Sequence, residues 1–356
     1  MRRVTDGLDD FGGLLSWPSL QDWIVEQPGI PGTGPVVAIE RLTGGTQNHL
    51  FLLTRTDGTR VVLRRPPEHL RENSNETMLR EARVLAALAT TDVPHPTFHA
   101  ACSDLDVIGV CFYVMAPIDG FAPVGPLPGR YATDPEWRHA LALDLVAGAA
   151  RLGVVDHEAV GLADFGKPEG WLERQVNRWR SQLDGYSAID GYDGPDIPGV
   201  DRVGAWLDAN RPAAARIGII HGDYHLANVL FASDSPRLAA IVDWELSTLG
   251  DPLLDLGWVL ASWADPDDPD GGLPMLQPWD GMPGHAELVD HYATVSGRDV
   301  SAMPWYYVLA CYKLGIVLEG THARACAGRA PKETGDALHA MTLTLFARAN
   351  RAIART

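Results

Sequence analysis

The sequence predicts an α+β protein with two lobes, in which a small strand-rich lobe precedes a larger, mainly helical one. Three apolar or β-branched runs occupy residues 36–65, and Asp57-Gly58, a strong hairpin signal, separates the last two. From residue 133 onward the apolar residues recur instead at helical spacing. The 356 residues, 46% of them hydrophobic, are enough to bury a core in each lobe.

The small lobe is expected to follow a short N-terminal extension. The stretch PSLQDWIVEQ, residues 18–27, is amphipathic and is closed by Pro-Gly, which predicts a helix within an extension of residues 1–32. Strands are expected at VVAIERL, HLFLLTRT, TRVVLRR and VIGVCFYVMA, with one helix at 74–89 before the last of them. We therefore expect a nucleotide-binding small lobe over residues 33–117.

The large lobe, residues 118–356, is expected to carry the catalytic loop and the acceptor site. A connector, APVGPLPG, leads to Thr133-Asp-Pro-Glu136, a capping box with Pro in the first turn. The helix that follows, to about residue 152, is apolar nearly all round and should be buried. Two short strand pairs are expected around RIGIIHGD and NVLFASDSPRLAAIVDWE. Further helices are expected at 169–183, 200–210, 251–263, 284–296, 303–325 and 332–354.

Charge and composition exclude several classes of protein. A formal net charge of −17 argues against a nucleic-acid partner and against docking on an anionic membrane. No apolar run approaches the roughly 18 residues of a transmembrane helix, and the N-terminus lacks the apolar run of a signal peptide. The four cysteines form no C-x-x-C pair, so we expect buried free thiols in a reducing cytoplasm rather than a disulfide framework.

The stretch IIHGDYHLANVLF is the most informative in the chain. His221-Gly222-Asp223 follows an apolar run, Asn228 comes five residues after Asp223, and a second apolar run then ends at Asp243. Phosphoryl transfer needs such a set, because one carboxylate orients the acceptor hydroxyl and takes its proton while other oxygen ligands hold magnesium. Magnesium takes few ligands from protein and prefers hard oxygens, which suits one Asn and one Asp.

This stretch resembles the catalytic signature of the aminoglycoside phosphotransferase and choline kinase-like family, relatives of the protein kinases. The resemblance implies a protein-kinase-like two-lobed fold, with ATP as phosphoryl donor and magnesium as cofactor. It implies Asp223 as catalytic base, His221 as a brace for the catalytic loop, and Asn228 and Asp243 as magnesium ligands. The continuation STLGDPLLDLGWVL is also similar to the family, and its two aspartates are expected to tie down the catalytic segment.

A nucleotide site of the same family is expected upstream. LTGGTQNHLFLLT places Gly44 and Gly45 between two strand-like runs, where backbone N–H groups can approach phosphates. On the following strand Arg64 stands where the family offers a lysine, and the resemblance implies Glu81 as its ion-pair partner. Arginine is not a neutral replacement for lysine, and the sequence leaves open whether Arg64 or Arg65 contacts phosphate.

The stretch FYVMAPIDG resembles the hinge of the family, which holds adenine through its backbone. The carbonyl of Ala116 and the N–H of Ile118 are the expected contacts, and Pro117 has no N–H to compete with them. The sequence does not decide between ATP and GTP. Glycine loop, basic strand, acidic helix, hinge, catalytic loop and metal aspartate follow in one order, and this order makes the resemblance specific.

Three longer stretches are similar to the branch of the family that is fused to, or encoded beside, acyl-CoA dehydrogenases. They are GKPEGWLERQVNRWRSQL, STLGDPLLDLGW and YKLGIVLEGTHARACAGRA, and the resemblance covers about residues 36–350. It implies a small-molecule hydroxyl acceptor, a hydroxyacyl-CoA, and a functional link to an acyl-CoA dehydrogenase. An aminoglycoside or another amino alcohol is the alternative acceptor.

Two other functions stand as rival hypotheses. His221, Asp223 and His225 alternate as H-x-D-x-H, a set that zinc hydrolases also use, although the ordered nucleotide motifs would then be accidental. Loss of the usual lysine permits a pseudokinase that binds nucleotide without catalysis. The kinase-like tripeptide DFG at 164–166 precedes the catalytic loop, so it is expected at a turn and not at the metal.

Overall fold

A computed structural model describes residues 9–42, 48–70, 72–265 and 275–356 of the chain. Its contacts divide the chain into two compact units. Unit 1 consists of Met1–Gly120, Val160–Leu162 and Ala239–Glu245, and unit 2 consists of Phe121–Ala159, Ala163–Leu238 and Leu246–Thr356. The segment that carries Asp243 therefore groups with the N-terminal residues, although it follows the catalytic loop in the sequence.

Unit 1 is built on a five-stranded antiparallel sheet. Its strands are β1 (Val36–Leu42), β2 (His49–Arg55), β3 (Arg60–Arg65), β4 (Phe98–Cys102) and β5 (Phe112–Met115), in the order β1-β2-β3-β5-β4. The predicted hairpin turn joins β2 to β3, and in it Gly58 has a φ of +85° and donates its N–H to the carbonyl of Arg55 at 2.9 Å. The resulting register places Phe51 opposite Leu63, and both side chains are fully buried.

The helices of unit 1 are α1 (Trp17–Glu26), α2 (Ser74–Leu88) and the short α3 (Leu105–Ile108). Leu20 and Ile24 lie one turn apart on α1, and both are fully buried in the same apolar core as the sheet residue Phe51. The helix α2 buries Leu85 together with the carboxylate residue Glu81. A buried acidic residue needs a partner, and it has one at the site described below.

Unit 2 is mainly helical. Its helices are α4 (Gly129–Thr133), α5 (Pro135–Gly153), α6 (Trp171–Tyr186), α7 (Val200–Ala209), α8 (Leu253–Ala261), α9 (His285–Ser296), α10 (Met303–Cys326) and α11 (Lys332–Arg355). Its short strands are β6 (Gly125–Pro126), β7 (Gly218–Ile220), β8 (Val229–Phe231), β10 (Thr248–Gly250) and β11 (Leu276–Gln277), and the chain leaves the unit within β9 (Leu238–Ile241). β7 pairs antiparallel with β10, and β6 pairs parallel with β11.

The helix α5 starts one residue later than the predicted capping box required. The carboxylate of Asp134, rather than the hydroxyl of Thr133, accepts a hydrogen bond from the N–H of Glu136 at 2.9 Å. Asp134 is the N-cap residue because it directly precedes the first helical residue, where a carboxylate reaches the free N–H groups of the first turn. The predicted burial of this helix is confirmed, since apolar residues such as Leu145 are inaccessible to solvent.

The helix α10 packs against α6, α7, α8 and α11. It buries large aromatic and aliphatic side chains, including Tyr312 and Ile316, and also the charged residues Lys313 and Glu319. These buried charges interrupt its apolar surface. Neither α10 nor any other helix in the described part of the chain is long and apolar enough to cross a membrane.

Candidate active site

The loop that follows β7 carries the H-G-D motif, and its shape depends on a glycine. Gly222 has a φ of +84°, a conformation that costs a residue with a side chain about 1–2 kcal/mol. A Cβ at this position would lie 2.5 Å from the carbonyl oxygen of Leu246, closer than real Cβ atoms approach. Glycine is therefore what lets the chain turn between His221 and Asp223.

Asp255, in the first turn of α8, anchors this turn. Its two carboxylate oxygens accept the backbone N–H groups of His221 at 2.7 Å and of Gly222 at 2.9 Å. Burial raises the pKa of Asp255, while His221 and the two N–H donors act to lower it. The sequence predicted that an aspartate of this segment ties down the catalytic loop, and these hydrogen bonds are how Asp255 does so.

Asp223 lies at the end of the turn with a partly exposed carboxylate. One oxygen accepts a hydrogen bond from Nδ2 of Asn228 at 2.9 Å, and the other lies 3.2 Å from Nε2 of His225. Burial acts to raise the pKa of Asp223, but His225, His221 and Lys313 outweigh it and lower that pKa to about 2. The carboxylate is therefore ionised at neutral pH and able to accept a hydrogen bond from a hydroxyl group.

Lys313, in the middle of α10, is a feature that sequence reasoning missed. Its Nζ donates a hydrogen bond to the carbonyl of Gly222 at 2.5 Å and lies 4.2 Å from the ring centre of Trp258 and 5.3 Å from that of Trp179. Burial lowers the pKa of Lys313 to about 8, while the carboxylate of Asp223 acts to raise it. The sequence contained one indication of its role, a single lysine within the apolar stretch VLACYKLGIVL. Lysine is seldom buried without a partner, so a buried position here implies a partner elsewhere in the fold.

In unit 1, Arg64 on β3 forms a buried ion pair with Glu81 on α2. The guanidinium Nε lies 3.0 Å from the carboxylate Oε2 of Glu81, which also accepts the hydroxyl of Tyr113 at 3.1 Å. Arg65 extends to the other face of the strand, where its guanidinium donates to the carbonyl of Leu14. Alternation along β3 thus directs Arg64, and not Arg65, towards the acidic side chains of this unit.

Glu81 is held in an unusual electrostatic environment. The side chain has no exposed surface, and burial raises its pKa to about 7 although Arg64 and the hydroxyl of Tyr113 act to lower it. The protonation state of Glu81 therefore changes near neutral pH. Below that pH the buried partner of Arg64 loses its charge, which weakens the ion pair.

Asp243 has a φ of +67°, in the left-handed region that few residues with side chains adopt. Its Oδ1 lies 2.7 Å from Nη2 of Arg64. Oxygens of Glu81, Asp243 and Glu245 lie within 4.8 Å of one another, and Arg64 forms ion pairs with the first two. Backbone conformations of this kind are concentrated at functional sites.

The remaining predicted nucleotide contacts are less defined. Gly44 and Gly45 lie outside the described residues. The N–H of Ala116 donates to the carbonyl of Thr97 at 2.8 Å, so the Ala116 group proposed to contact a base is its carbonyl oxygen. Ile118 lies three residues after the end of β5 and directly after Pro117. The DFG tripeptide lies in a turn at residues 164–166, as predicted.

Hydrogen bonds fix the amide group of Asn228. Its Nδ2 donates both to the backbone carbonyl and to the carboxylate of Asp223, each at 2.9 Å, and within the described residues the amide oxygen has no hydrogen-bond donor. An amide oxygen is a hard ligand of the kind magnesium binds. The carboxylate of Asp243 is another such ligand, so the residue types at both positions fit this cation.

The zinc-hydrolase hypothesis finds no support in the described part of the chain. There, the groups of three residues whose ligand atoms converge are Glu81, Asp243 and Glu245 in one case and Glu319, His322 and His339 in the other. Neither group contains His221 or His225. Moreover, His221 is fully buried, and its Nδ1 accepts the backbone N–H of Asp223 at 3.3 Å.

Comparison with known proteins identifies the family. The family model described as "Phosphotransferase enzyme family" matches residues 38–288, which is more than half of the chain. This match includes the H-G-D motif, the asparagine that follows it and Asp243.

Curated relatives come from one group of proteins. Acyl-CoA dehydrogenase family member 10 of Mus musculus is 29% identical over 325 residues, which cover 89% of this chain and 29% of that protein. Acyl-CoA dehydrogenase family member 11 of Pongo abelii is 30% identical over 308 residues, which cover 83% of this chain and 38% of that protein. The chain thus spans well under half the length of these relatives.

Solved structures agree with the family and the fold. A structure from Ralstonia eutropha, provisionally assigned as an aminoglycoside phosphotransferase, is 30% identical, with a TM-score of 0.77 over 94% of this chain and 98% of that one. A choline kinase from Cryptosporidium parvum, 12% identical, shares the fold with a TM-score of 0.55 over 89% of each chain.

These similarities confirm the predicted family, its acyl-CoA dehydrogenase-associated branch and the predicted protein-kinase-like α+β fold. Aminoglycoside 2'-phosphotransferase-IIIa, which was solved as a GDP complex, is 15% identical and shares the fold with a TM-score of 0.60. The chain belongs to the phosphotransferase enzyme family and is a small-molecule kinase.

Proposed function

We propose that this protein transfers the γ-phosphoryl group of ATP, in a magnesium-dependent reaction, to a hydroxyl group of a hydroxyacyl-CoA. The observation that carries the chemistry is the state of Asp223. Its carboxylate is partly exposed and fixed by Asn228 and His225, and its pKa is lowered to about 2. Such a group is suited to orient an acceptor hydroxyl and to take its proton as the phosphoryl group transfers.

The low pKa of Asp223 defines how it would act. A carboxylate with a pKa of about 2 is a weak base towards a free alcohol, so its first contribution is to align the hydroxyl for in-line attack. The hydroxyl proton becomes acidic only as the new oxygen–phosphorus bond forms, and the carboxylate can then accept it. His221 contributes by bracing the loop, since its ring nitrogen accepts the N–H of Asp223.

Asn228 and Asp243 are proposed as magnesium ligands through the amide oxygen of the one and the carboxylate of the other. Magnesium, when bound, neutralises negative charge on the transferring phosphates. Support comes from the family motif and from the hydrogen bonds of Asn228, which commit its nitrogen to Asp223. For Asp243, support comes from the neighbouring carboxylates, whose combined charge favours a cation.

The nucleotide is proposed to contact Arg64, the backbone of the Gly44-Gly45 segment and the hinge. Arg64 carries a planar guanidinium that binds phosphate oxygens in pairs, and Glu81 fixes its direction. At the hinge, the carbonyl of Ala116 and the N–H of Ile118 are proposed to hold the base.

Two acceptor classes are distinguished by specific observations. The curated relatives are named as acyl-CoA dehydrogenase family members, and this favours a hydroxyacyl-CoA and a functional link to such a dehydrogenase. The structure from Ralstonia eutropha and the net charge of −17 favour a cationic amino alcohol such as an aminoglycoside. We rank the hydroxyacyl-CoA first, because both curated relatives carry the dehydrogenase name, whereas the aminoglycoside assignment of the structure from Ralstonia eutropha is provisional.

The test is a phosphotransfer screen with ATP or GTP against hydroxyacyl-CoAs, aminoglycosides, choline and homoserine. Acceptor-dependent transfer of phosphate to a hydroxyacyl-CoA, lost in Asp223→Asn, is the expected result. Transfer only to aminoglycosides would establish the alternative acceptor. Nucleotide binding without transfer to any acceptor class would favour a pseudokinase.

A second experiment examines the magnesium ligands. Asp243→Ala and Asn228→Ala should each weaken magnesium-dependent nucleotide binding, measured by calorimetry with and without the metal. Glu26→Gln is the control, because this exposed carboxylate on α1 lies outside the acidic cluster and outside the family motif. Unchanged magnesium dependence in both alanine variants would contradict this part of the proposal.

A further inference from the structure

Two matching motifs lie outside the proposed phosphotransfer site. Glu319-Gly-Thr-His322 is on α10, and Asp336-Ala-Leu-His339 is on α11. In each motif a carboxylate precedes a histidine by three residues, a spacing that puts both side chains on one helix face. Because α10 and α11 pack against each other, the two motifs converge.

The ligand atoms of this cluster are close together. One atom each from Glu319, His322 and His339 lies within 4.8 Å of the others. Nδ1 of His339 is 2.7 Å from Oε2 of Glu319, and Nδ1 of His322 is 3.8 Å from Oδ1 of Asp336. The two imidazole rings stack with their centres 4.6 Å apart and their planes inclined by 27°.

Glu319 is fixed in a manner typical of a metal ligand. It has no exposed surface, and its second oxygen, Oε1, accepts the hydroxyl of Tyr192 at 2.7 Å. A hydrogen bond of this kind holds a coordinating carboxylate in place and leaves its other oxygen for an ion. In sequence terms, Glu319 and Tyr192 are far apart, so their contact is a product of the fold.

His322 provides the second indication. Its Nδ1 is shielded from solvent and forms no hydrogen bond within the described residues. Its other ring nitrogen, Nε2, lies 3.7 Å from the sulfur of Cys326. The tautomer that carries its proton on Nε2, towards this sulfur, leaves a lone pair on Nδ1 directed at the carboxylates.

We propose that Glu319, His322 and His339 bind a divalent transition-metal ion, zinc, with Asp336 as the fourth ligand. Two imidazoles and two carboxylates suit zinc, whereas magnesium prefers oxygen ligands alone. Zinc–nitrogen and zinc–oxygen bonds of about 2.0–2.2 Å bring neighbouring ligand atoms to roughly 3.3–3.6 Å, so modest side-chain movements close the site. For His339 to bind the ion through Nδ1, the proton on this atom must move either to Nε2 of the same ring or to water.

The ion would add a further link between two helices that already share a hydrogen bond, from the hydroxyl of Thr342 to the carbonyl of Gly315 at 3.0 Å. It fixes the C-terminal half of α10 to α11, and α10 is also the helix that carries Lys313 to the carbonyl of Gly222. The site is distinct from the proposed magnesium ligands, with which it shares no residue. Its role is accordingly structural, and it stands whether or not the proposed acceptor is correct.

The experiment is a zinc titration of full-length protein that has been treated with a chelator. Excess magnesium is present throughout, so that the carboxylates of the phosphotransfer site are occupied by the harder ion. We expect calorimetry to give a stoichiometry of one zinc ion per chain. Cobalt should bind with the same stoichiometry and show the visible absorption bands of a cobalt ion that has nitrogen ligands. Zinc should raise the melting temperature, because it binds the folded state alone.

Variants assign the site. His322→Ala and Asp336→Asn alter partly exposed residues and should fold, and each should weaken zinc binding by about tenfold or more, the usual effect of disturbing a site's ligand shell. His139→Ala is the control, since His139 forms a comparable 2.8 Å pair with Glu287 but belongs to neither converging group. Absence of saturable zinc binding in the unmodified protein would overturn the proposal, and so would a zinc affinity in both His322→Ala and Asp336→Asn equal to that of the unmodified protein.

Discussion

Nζ of Lys313 lies 2.5 Å from the carbonyl oxygen of Gly222, so a lysine 91 residues downstream supports the turn of the catalytic loop. The two tryptophan rings beside it, those of Trp179 and Trp258, shield its charge from water. A shielded ammonium group so close to Asp223 stabilises the carboxylate form of that residue. Lys313 is therefore a positioning residue in this account: it acts on the substrate only through the loop and through Asp223.

Replacing Lys313 should slow catalysis and shift its pH dependence. In Lys313→Met the carbonyl of Gly222 loses its donor, and we expect kcat to fall by about tenfold, equivalent to roughly 1.4 kcal/mol of transition-state stabilisation. The variant also removes a charge that lowers the pKa of Asp223, so the acid limb of the kcat profile should move to higher pH. Lys332→Met, at an exposed lysine, is the control. A normal kcat with an unmoved acid limb in Lys313→Met would count against this role.

Substitutions at Arg64 should act on the nucleotide. Arg64→Met removes a guanidinium that can form charge-assisted hydrogen bonds, each worth about 1.5–3 kcal/mol, so the KM for ATP should rise by roughly tenfold or more. Arg64→Lys keeps the charge and should retain more of the affinity, although it loses the paired geometry. Arg60→Met, at an exposed position of the same strand, should leave the KM unchanged. Equal KM values for all three variants would remove Arg64 from the nucleotide site.

The elevated pKa of Glu81 predicts a pH effect on stability. Its pKa is about 7 in the folded protein and 4.5 as the ordinary value, so the folded state binds more protons than the unfolded state between these two pH values. The contribution of Glu81 to the free energy of unfolding is therefore present below about pH 4.5 and is lost as the pH rises through 7. The free energy of unfolding of wild type and of Glu81→Gln, measured with denaturant from pH 4.5 to 8, tests this. The difference between the two proteins at each pH gives the contribution of Glu81.

Tyr113→Phe should extend to higher pH the range over which the protein loses stability. The hydroxyl of Tyr113 donates to Oε2 of Glu81 and lowers its pKa, so its removal should raise that pKa further. The loss of stability with increasing pH should then continue above pH 7. Parallel curves for wild type, Glu81→Gln and Tyr113→Phe would show that Glu81 is not the titrating group.

The turn at Gly222 should not accept any side chain. Gly222→Ala adds a Cβ to a left-handed residue, 2.5 Å from the carbonyl oxygen of Leu246. We expect the free energy of unfolding to fall by about 1–3 kcal/mol. We also expect the phosphotransfer activity to fall. Gly185→Ala is the opposite case, because this glycine lies in α6 with open space around it. There alanine should stabilise the protein by about 0.5–1 kcal/mol. Similar stabilities for the two variants would contradict the strained geometry of the turn.

Much of the fold follows from local patterns in the sequence. The hairpin between β2 and β3 has its turn at the predicted Asp57-Gly58, and the predicted helix at 74–89 is found at Ser74–Leu88. These features depend on neighbouring residues, which the sequence shows directly. The order of the phosphotransfer motifs was sufficient to predict the family, because each motif carries its own chemistry.

The parts of the site that escaped prediction depend on contacts between distant segments. Lys313 is a charged residue in an apolar helix, and nothing local indicates that its partner is the carbonyl of Gly222. The convergence of Glu319 with His339 depends in the same way on the packing of α10 against α11.

The central claim is that Asp223 serves as the base for phosphoryl transfer. The most direct test compares Asp223→Asn with wild type, using the acceptor found in the screen and measuring phosphorylated product at saturating ATP. We expect kcat to fall by about 10²–10⁴-fold, the usual contribution of a positioned general base, while ATP affinity is retained. A phosphotransfer rate in Asp223→Asn equal to that of wild type would contradict this claim.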